Sequence, residues 1–306
     1  MHYRRLGRTG LRVSEISLGC NRIGDPGTIL EDWYPLVRRA LDLGVNFFDT
    51  SNSYNQGRSE EVLGVVAARE PVYFATKVGV PVMTNDYANR EFSAATILRE
   101  VEHSLRRLRR DSIDVYQLHS PTVQQLEQND WAEALLKLKE QGKVRWLGIS
   151  TSDEASGIWC IRHGLFDVLQ INYNLLDLEA EQDLLPLAMQ HDIGITVRTP
   201  LARGLLTGKF PPGQELPAEQ QWRRPRGPEL QQRLARVEQF RFLERPGRTL
   251  GQAALQFVLS HPGVSCAIPG ARTIAQLEEN VAASNGRGLD PQELVQVREI
   301  QAGWNR

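Results

Sequence analysis

Hydrophobic positions along the chain alternate between two rhythms. Short apolar or β-branched runs recur at Ile16 to Leu18, Asn46 to Asp49, Val72 to Lys77, Ile113 to His119, Val144 to Ile149, Val168 to Ile171, Gly194 to Arg198 and Ser265 to Ile268. Their length suits buried strands. Between them run stripes of helical spacing: Ile97, Leu98, Val101, Leu105 and Leu108 share one face, and similar stripes cover Trp131 to Lys139 and Ala253 to Leu259. Gly44, Gly142, Gly164 and Gly194 stand where left-handed residues would close helices one, four, five and six. Ser59 before Glu60 and Ser93 before Ala94 are expected as N-caps. Ahead of the first strand, Tyr3 to Leu6 and Leu11 to Val13 flank Gly7, Arg8, Thr9 and Gly10, which reads as a hairpin.

Eight alternations of strand and helix imply a closed parallel barrel, because parallel crossovers need helices. The expected fold is an α/β (β/α)8 TIM barrel with an N-terminal β-hairpin and extra helices, one domain over residues 1–306. The rival, a doubly wound sheet, lacks its phosphate-binding turn: the one G-x-G is Gly286, Arg287, Gly288, near the C-terminus. Two segments break the rhythm. Residues 200–248 are rich in Pro, Gly, Gln and Arg around one helical pattern at Leu230 to Leu243, which reads as an inserted loop or as a lid. Arg106, Arg107, Arg109 and Arg110 close the third helix and read as charge at its negative end.

Composition narrows the picture. The 306 residues carry 36 Lys plus Arg against 37 Asp plus Glu, which argues against nucleic acid as partner. No apolar run reaches the ~18 residues of a membrane span, and the start lacks a signal-peptide core, so a cytoplasmic protein is expected. Cys20, Cys160 and Cys266 support neither a disulfide framework nor a metal site, and read as small buried residues. Only five of the basic residues are lysines: Lys77, Lys137, Lys139, Lys143 and Lys209.

That scarcity draws attention to Lys77, which ends an otherwise apolar or small strand. Chemistry in such barrels gathers at the C-terminal ends of strands. Asp49 and His119 end two more strands, and Tyr54 follows Asp49 by five residues. Taken singly, each is more often a turn former, a core aromatic or a satisfied histidine. Together they make a device. A phenol with pKa about 10 donates poorly near neutrality until a close cation stabilises its phenolate. Lys77 would supply that cation, Asp49 would hold Lys77, and His119 would orient or relay the proton while something else delivers hydride.

At this point the sequence resembles the aldo-keto reductase family over essentially its whole length. The tetrad matches Asp49, Tyr54, Lys77 and His119, and the stretch from Asp49 through Tyr54, Asn55, Gln56, Gly57, Arg58, Ser59 and Glu60 to Gly64 is similar to the family signature. Asn55 departs from it, standing where the family often has Gly. The resemblance implies NADPH (NADP) as cofactor. Ser150, Thr151 and Gln170 would contact the nicotinamide carboxamide, although Asn is common where Thr151 stands. Arg198 falls where many members place an aromatic ring, and a fixed charge there would disfavour the oxidised cofactor. Thr199, Leu201, Gly204, Leu206 and Lys209 lie on the run resembling the pyrophosphate loop. Gly270, Arg272, Gln276, Glu279 and Asn280 would take the adenosine end, with Arg272 on a ribose 2′-phosphate.

The resemblance implies reduction of an aldehyde or ketone, since members acting on conjugated double bonds tend to replace the His that is kept here as His119. Asn21, Arg22, Ile23, Tyr54 and Pro121 are the candidate pocket residues for this small carbonyl substrate, Arg22 hinting at an anionic group. Two rivals remain. One is a nicotinamide-binding regulatory subunit with little turnover, as in the channel-associated branch of the superfamily, although no docking segment for a protein partner is legible. The other is an aldolase or isomerase using Lys77 as a Schiff base.

Overall fold

A computed structural model of the chain describes residues 1–151, 153–216 and 225–305. Residues 217–224, part of the expected loop or lid, lie outside the described residues.

The hairpin forms from β1 (Tyr3–Arg5) and β2 (Arg12–Ser14), antiparallel with Tyr3 opposite Ser14. Eight parallel strands follow in sequence order around a barrel: β3 (Leu18–Gly19), β4 (Phe47–Asp49), β5 (Tyr73–Val78), β6 (Ile113–His119), β7 (Val144–Ser150), β8 (Val168–Asn172), β9 (Gly194–Arg198) and β10 (Val264–Ile268). The first expected strand contracts to two residues, but its flanks close the barrel: Ile16 bridges Ala267 and Gly19 bridges Gly270. The helices between strands are α1 (Tyr34–Asp42), α2 (Arg58–Val66), α3 (Ala94–Leu108), α4 (Val123–Gln128), α5 (Trp131–Glu140), α6 (Glu154–His163), α7 (Leu184–Gln190), α8 (Gly227–Glu238) and α9 (Leu250–Ser260). After the last strand come α10 (Ile274–Val281) and α11 (Pro291–Ala302).

Strand alternation produces two cores. Phe48, Phe74, Tyr116 and Leu118 face outward into the layer between sheet and helices. Phe47, Ala75, Val115, Val168 and Cys266 face inward and fill the barrel floor with Leu6, Leu11 and Val13 of the hairpin region. Gly7 lies at φ +48 so close to the ninth strand that a Cβ there would stand 2.1 Å from the Gly194 nitrogen. Gly194 is therefore no helix cap: it begins β9, and any side chain on it would meet Leu6. The left-handed residue after α7 is Asp192, at φ 51. Gly44, Gly142 and Gly164 do lie at left-handed φ after their helices.

Ser93 caps α3 by accepting from the Thr96 amide. Ser59 does not cap α2. That place belongs to Gly57, and the buried Ser59 hydroxyl donates instead to the Cys20 carbonyl. The arginine cluster is only partly a helix-end charge. Arg109 is the left-handed cap of α3, while Arg110 reaches the Glu70 carbonyl at 3.0 Å and also the Ala67 and Val72 carbonyls beyond α2. Arg107 turns to Glu60, whose carboxylate is fully buried and also takes the Thr76 hydroxyl. Removing that guanidinium leaves a buried anion without its cation. Arg107→Ala is expected to lower unfolding free energy by about 3–5 kcal/mol, measured by urea denaturation, and Glu60→Gln in the same background should recover part of the loss.

Candidate active site

The inward register that lays the apolar floor continues upward in polar residues. Two positions above Phe47, Ala75, Val115 and Val168 stand Asp49, Lys77, Gln117 and Gln170. Between them Gly148 leaves room, since a Cβ there would stand 2.8 Å from Gln117 Cγ. Lys77 has no exposed surface. Its Nζ donates to Asp49 Oδ2 and to the Thr50 carbonyl, each at 2.7 Å, and stands 3.4 Å from the Tyr54 hydroxyl. Gln170 Nε2 donates to the other Asp49 oxygen at 2.7 Å, as does Gln117 Nε2 at 3.4 Å. Burial draws the Lys77 ammonium below the ordinary lysine value, the Asp49 carboxylate pushes back, and the Arg198 charge adds to the lowering. Burial first, and then Asp49, push the neighbouring Cys20 thiol up, which keeps it protonated near neutrality.

Tyr54 begins a tight turn, Tyr54–Gly57, in which Asn55 and Gln56 are left-handed, at φ 51 and 60. A glycine would accept that backbone freely, and Asn is among the side chains that tolerate it. Asn55 adds its own anchor, donating through Nδ2 to the Ile23 carbonyl at 2.8 Å. His119 ends β6 with Nδ1 3.2 Å from Ser51 Oγ and Nε2 3.1 Å from the Tyr87 hydroxyl. The Tyr54 and His119 rings meet edge to face, centroids 5.8 Å apart.

These groups form one end of a cleft of about 760 Å³ that runs across the barrel mouth. Asp49, Tyr54, His119, Ser150, Gln170, Arg198, Thr199, Leu201, Gly204 and Lys209 line it, as do Asn21, Arg22, Gly270, Arg272, Gln276, Glu279 and Asn280. Lys77 stands behind Asp49 rather than on the surface. Several expected contacts are not brought to the cleft. Thr151 is buried and faces a separate hollow beside Asn172, offering its carbonyl to Arg198 at 2.8 Å. Leu206 and Ile23 are fully buried in the outer core, and Pro121 is buried outside the cleft wall. Arg22 does line the cleft, but its guanidinium is paired with Asp25 at 2.5 Å.

The remaining segments are built for close approach. Thr199, Ala202, Arg203 and Gly204 all have positive φ, which folds the loop after β9 back over the cleft. Thr273 caps α10, Gln276 Oε1 takes the Arg272 amide, and Asn280 Nδ2 donates to the Gly270 carbonyl. Lys209 and Arg272 make no ion pair among the described residues, although arginines elsewhere are widely paired. Sequence reasoning missed Tyr87, Asn85, Ser120 and Phe210 on the cleft wall, and Ser51 behind His119. The signal was available in residues 79–93, a connection longer than the ~2–6 residues usual after a barrel strand and placed directly after the Lys77 strand.

A phenol beside a buried ammonium, at the mouth of a parallel barrel, is the setting in which relatives can be compared. The profile of the Aldo/keto reductase family matches residues 15–302, and the chain belongs to that family of oxidoreductases. L-galactose dehydrogenase from Arabidopsis thaliana is 32% identical, over 97% of this chain and 93% of its own length. A Schizosaccharomyces pombe protein, provisionally named a voltage-gated potassium channel subunit beta, is 32% identical over 97% of this chain and 92% of its own. Among solved structures, the glycerol dehydrogenase of Gluconobacter oxydans aligns with TM-score 0.86 and 30% identity, covering 98% of this chain and 95% of that one. Aldo-keto reductases generally bind a nicotinamide cofactor. No helix among the described residues is long and apolar enough to cross a membrane.

Proposed function

We propose that the chain, with residues 1–306 working as one unit, reduces an aldehyde or ketone to the alcohol with NADPH, and that Tyr54 is the general acid. The observation that carries this reading is the Tyr54 hydroxyl 3.4 Å from the Lys77 ammonium, at the wall of the cleft. When bound, the nicotinamide supplies the hydride that reaches the carbonyl carbon. Tyr54 gives its proton to the carbonyl oxygen, and Lys77 stabilises the phenolate left behind. Asp49 and the Thr50 carbonyl fix Lys77 so that its third proton is directed at the phenol. His119, anchored by Ser51, orients the carbonyl oxygen toward Tyr54.

The residues present fit a dinucleotide. The cleft volume falls in the ~300–1,000 Å³ range of cofactor sites. Ser150 and Gln170 line the cleft with Tyr54, Arg203 and Gly204 of the left-handed run bring backbone to its wall, and Gln276, Glu279 and Asn280 line it as well. Lys209 and Arg272, without ion-pair partners among the described residues, are suited to the phosphates. The likeness to the fission-yeast channel subunit favours a second reading, a nicotinamide-binding regulator with little turnover. Sustained multiple turnover with any of a panel of aldehydes separates the two, since the regulator would stop after one oxidation of bound NADPH.

Tyr54→Phe is expected to lower kcat by about 10²–10⁴ while NADPH affinity, followed by fluorescence, stays near that of the parent. Retained turnover in that variant would sink the general-acid assignment. In Asp49→Asn the chief influence holding the Lys77 pKa up is gone. Lys77 then loses its proton at lower pH, and the alkaline limb of the pH–rate profile should move acidward. An unmoved limb would show that Lys77 does not set it. Replacing Arg272 by Ala should raise KM for NADPH about tenfold or more, ~1.4 kcal/mol, with KM for NADH little changed; equal effects on both cofactors would place this charge elsewhere.

A further inference from the structure

Positive charge reaches the cleft wall through Arg22, Arg198, Arg203, Lys209 and Arg272. Four of these stand on connections, whereas Arg198 is the last residue of β9. Ile195 and Val197 face the outer core, so Gly194, Thr196 and Arg198 form the inward row of that strand, with Arg198 in register with Asn172 and Ile268 on the strands beside it. Its Nη2 donates to the Thr151 carbonyl at 2.8 Å, and the Thr151 amide donates to the Gln170 carbonyl at 2.9 Å. The Gln170 side chain takes the Ser150 hydroxyl at 3.2 Å and donates to Asp49 at 2.7 Å. Asp49 holds the Lys77 ammonium that stands 3.4 Å from the Tyr54 hydroxyl. A chain of contacts thus runs from the Arg198 guanidinium to the phenol.

A guanidinium keeps its charge at every pH near neutrality. This one acts on the groups around it, since its charge adds to the lowering of the Lys77 pKa. The Lys77 charge itself is matched by the Asp49 carboxylate at 2.7 Å, so that pair contributes little net field. Nicotinamide cofactors change charge at the ring where they react. The oxidised ring is a pyridinium cation and the reduced ring a neutral dihydropyridine, while the phosphates and riboses are the same in both. A ring that gives hydride to a carbonyl beside Tyr54 lies among these groups, in the field of Arg198. A unit charge within ~10 Å changes the balance between a cation and its neutral form by about tenfold or more at an effective dielectric of about 20.

Resting on the nicotinamide-dependent reductase reading, we propose that Arg198 is a specificity-determining residue for the redox state of the cofactor, admitting the reduced form and driving off the oxidised one. The cleft must discharge spent cofactor before each new turnover. Repulsion confined to the oxidised ring favours that exchange without loosening the hold on the phosphates. Arg198 thereby differs in task from Lys209 and Arg272, whose attraction to phosphate is the same in both redox states.

The test measures dissociation constants of NADPH, NADP⁺ and 2′-phospho-ADP-ribose, which lacks the nicotinamide, by titration calorimetry with the wild type, Arg198→Gln and Arg198→Lys. The wild type should bind NADPH about tenfold or more tighter than NADP⁺. Arg198→Gln, whose carboxamide can still donate to the Thr151 carbonyl, should shrink that preference about tenfold, chiefly through tighter NADP⁺, with 2′-phospho-ADP-ribose unchanged. Arg198→Lys keeps the charge and should keep most of the preference. Equal affinity of the wild type for both cofactors, a preference unchanged in Arg198→Gln, or a loss shared by the nicotinamide-free fragment, which would make Arg198 a phosphate ligand, would overturn the proposal. So would a lysine variant that behaves as the glutamine one does. Failure to bind either cofactor would overturn the proposal and the nicotinamide reading together. The expected preference without turnover of any aldehyde would count against the reductase reading alone, because the binding comparison needs no chemistry.

Discussion

A lysine ammonium with no exposed surface imposes the central constraint on this barrel. Desolvating such a charge costs several kcal/mol unless it is paired and hydrogen-bonded. Lys77 meets that demand with a carboxylate and a backbone carbonyl, both at 2.7 Å. The demand then spreads outward. Asp49 must face Lys77 from the neighbouring strand, and its second oxygen must also be satisfied, which Gln170 does from across the barrel and Gln117 from the strand beside Lys77. Gly148 keeps the intervening position empty so that Gln117 has room. The last donor direction of the ammonium falls on Tyr54. The site thus grows from one electrostatic requirement, and the phenol is where that requirement meets the cleft.

The same two-residue period that makes the site makes the fold stand. One inward register supplies an apolar floor at Phe47, Ala75, Val115 and Val168 and a polar layer one step above it. A strand slipped by one residue would exchange the layers and put Phe48 or Phe74 inside. The hairpin at the bottom is needed because the floor is otherwise open: Leu6 is buried among the inward side chains, and Gly7 presses on Gly194. Leu6, Leu11 and Val13 lie with the inward side chains of the floor, below the polar layer.

Much of this was legible in the sequence, for reasons that can be stated. The eight strands, the hairpin and the helix stripes follow from periodicity, which burial enforces throughout. Asp49, Tyr54, Lys77 and His119 stood out as candidates from their places at or just after strand ends and from the scarcity of lysine, and the structure brings the four together. What local reasoning misjudged depends on neighbours distant in sequence. Gly194 looks like a cap until Leu6, near the start of the chain, is seen packed against it. Ser59 looks like a cap until its hydroxyl is found on the Cys20 carbonyl. Leu206 and Thr151 sit in strings resembling cofactor contacts, yet one turns into the core and the other toward a different hollow. Tyr87 escaped notice because its connection has no periodicity, and only the folded barrel brings it over His119.

Backbone strain marks the same face of the molecule independently. Among the described residues, nine other than glycine adopt positive φ: Asn55, Gln56, Asn85, Arg109, Ser120, Asp192, Thr199, Ala202 and Arg203. Arg109 and Asp192 close helices, where such a conformation is routine. The other seven all lie on connections after barrel strands, and all but Gln56 and Ala202 line the cleft. Non-glycine residues in left-handed conformations cost of order 1–3 kcal/mol each, and they persist where the surroundings over-determine them. Here the surroundings include the Asn55 anchor on Ile23 and a hydrogen bond from Ser120 N to the Ser150 carbonyl at 2.7 Å. A rigid barrel with a buried ion pair tolerates that strain, which falls on the connections that line the cleft. The position of Asn55, at φ 51 directly after the phenol, joins the two arguments: the turn that strains the chain is the turn that brings Tyr54 to Lys77.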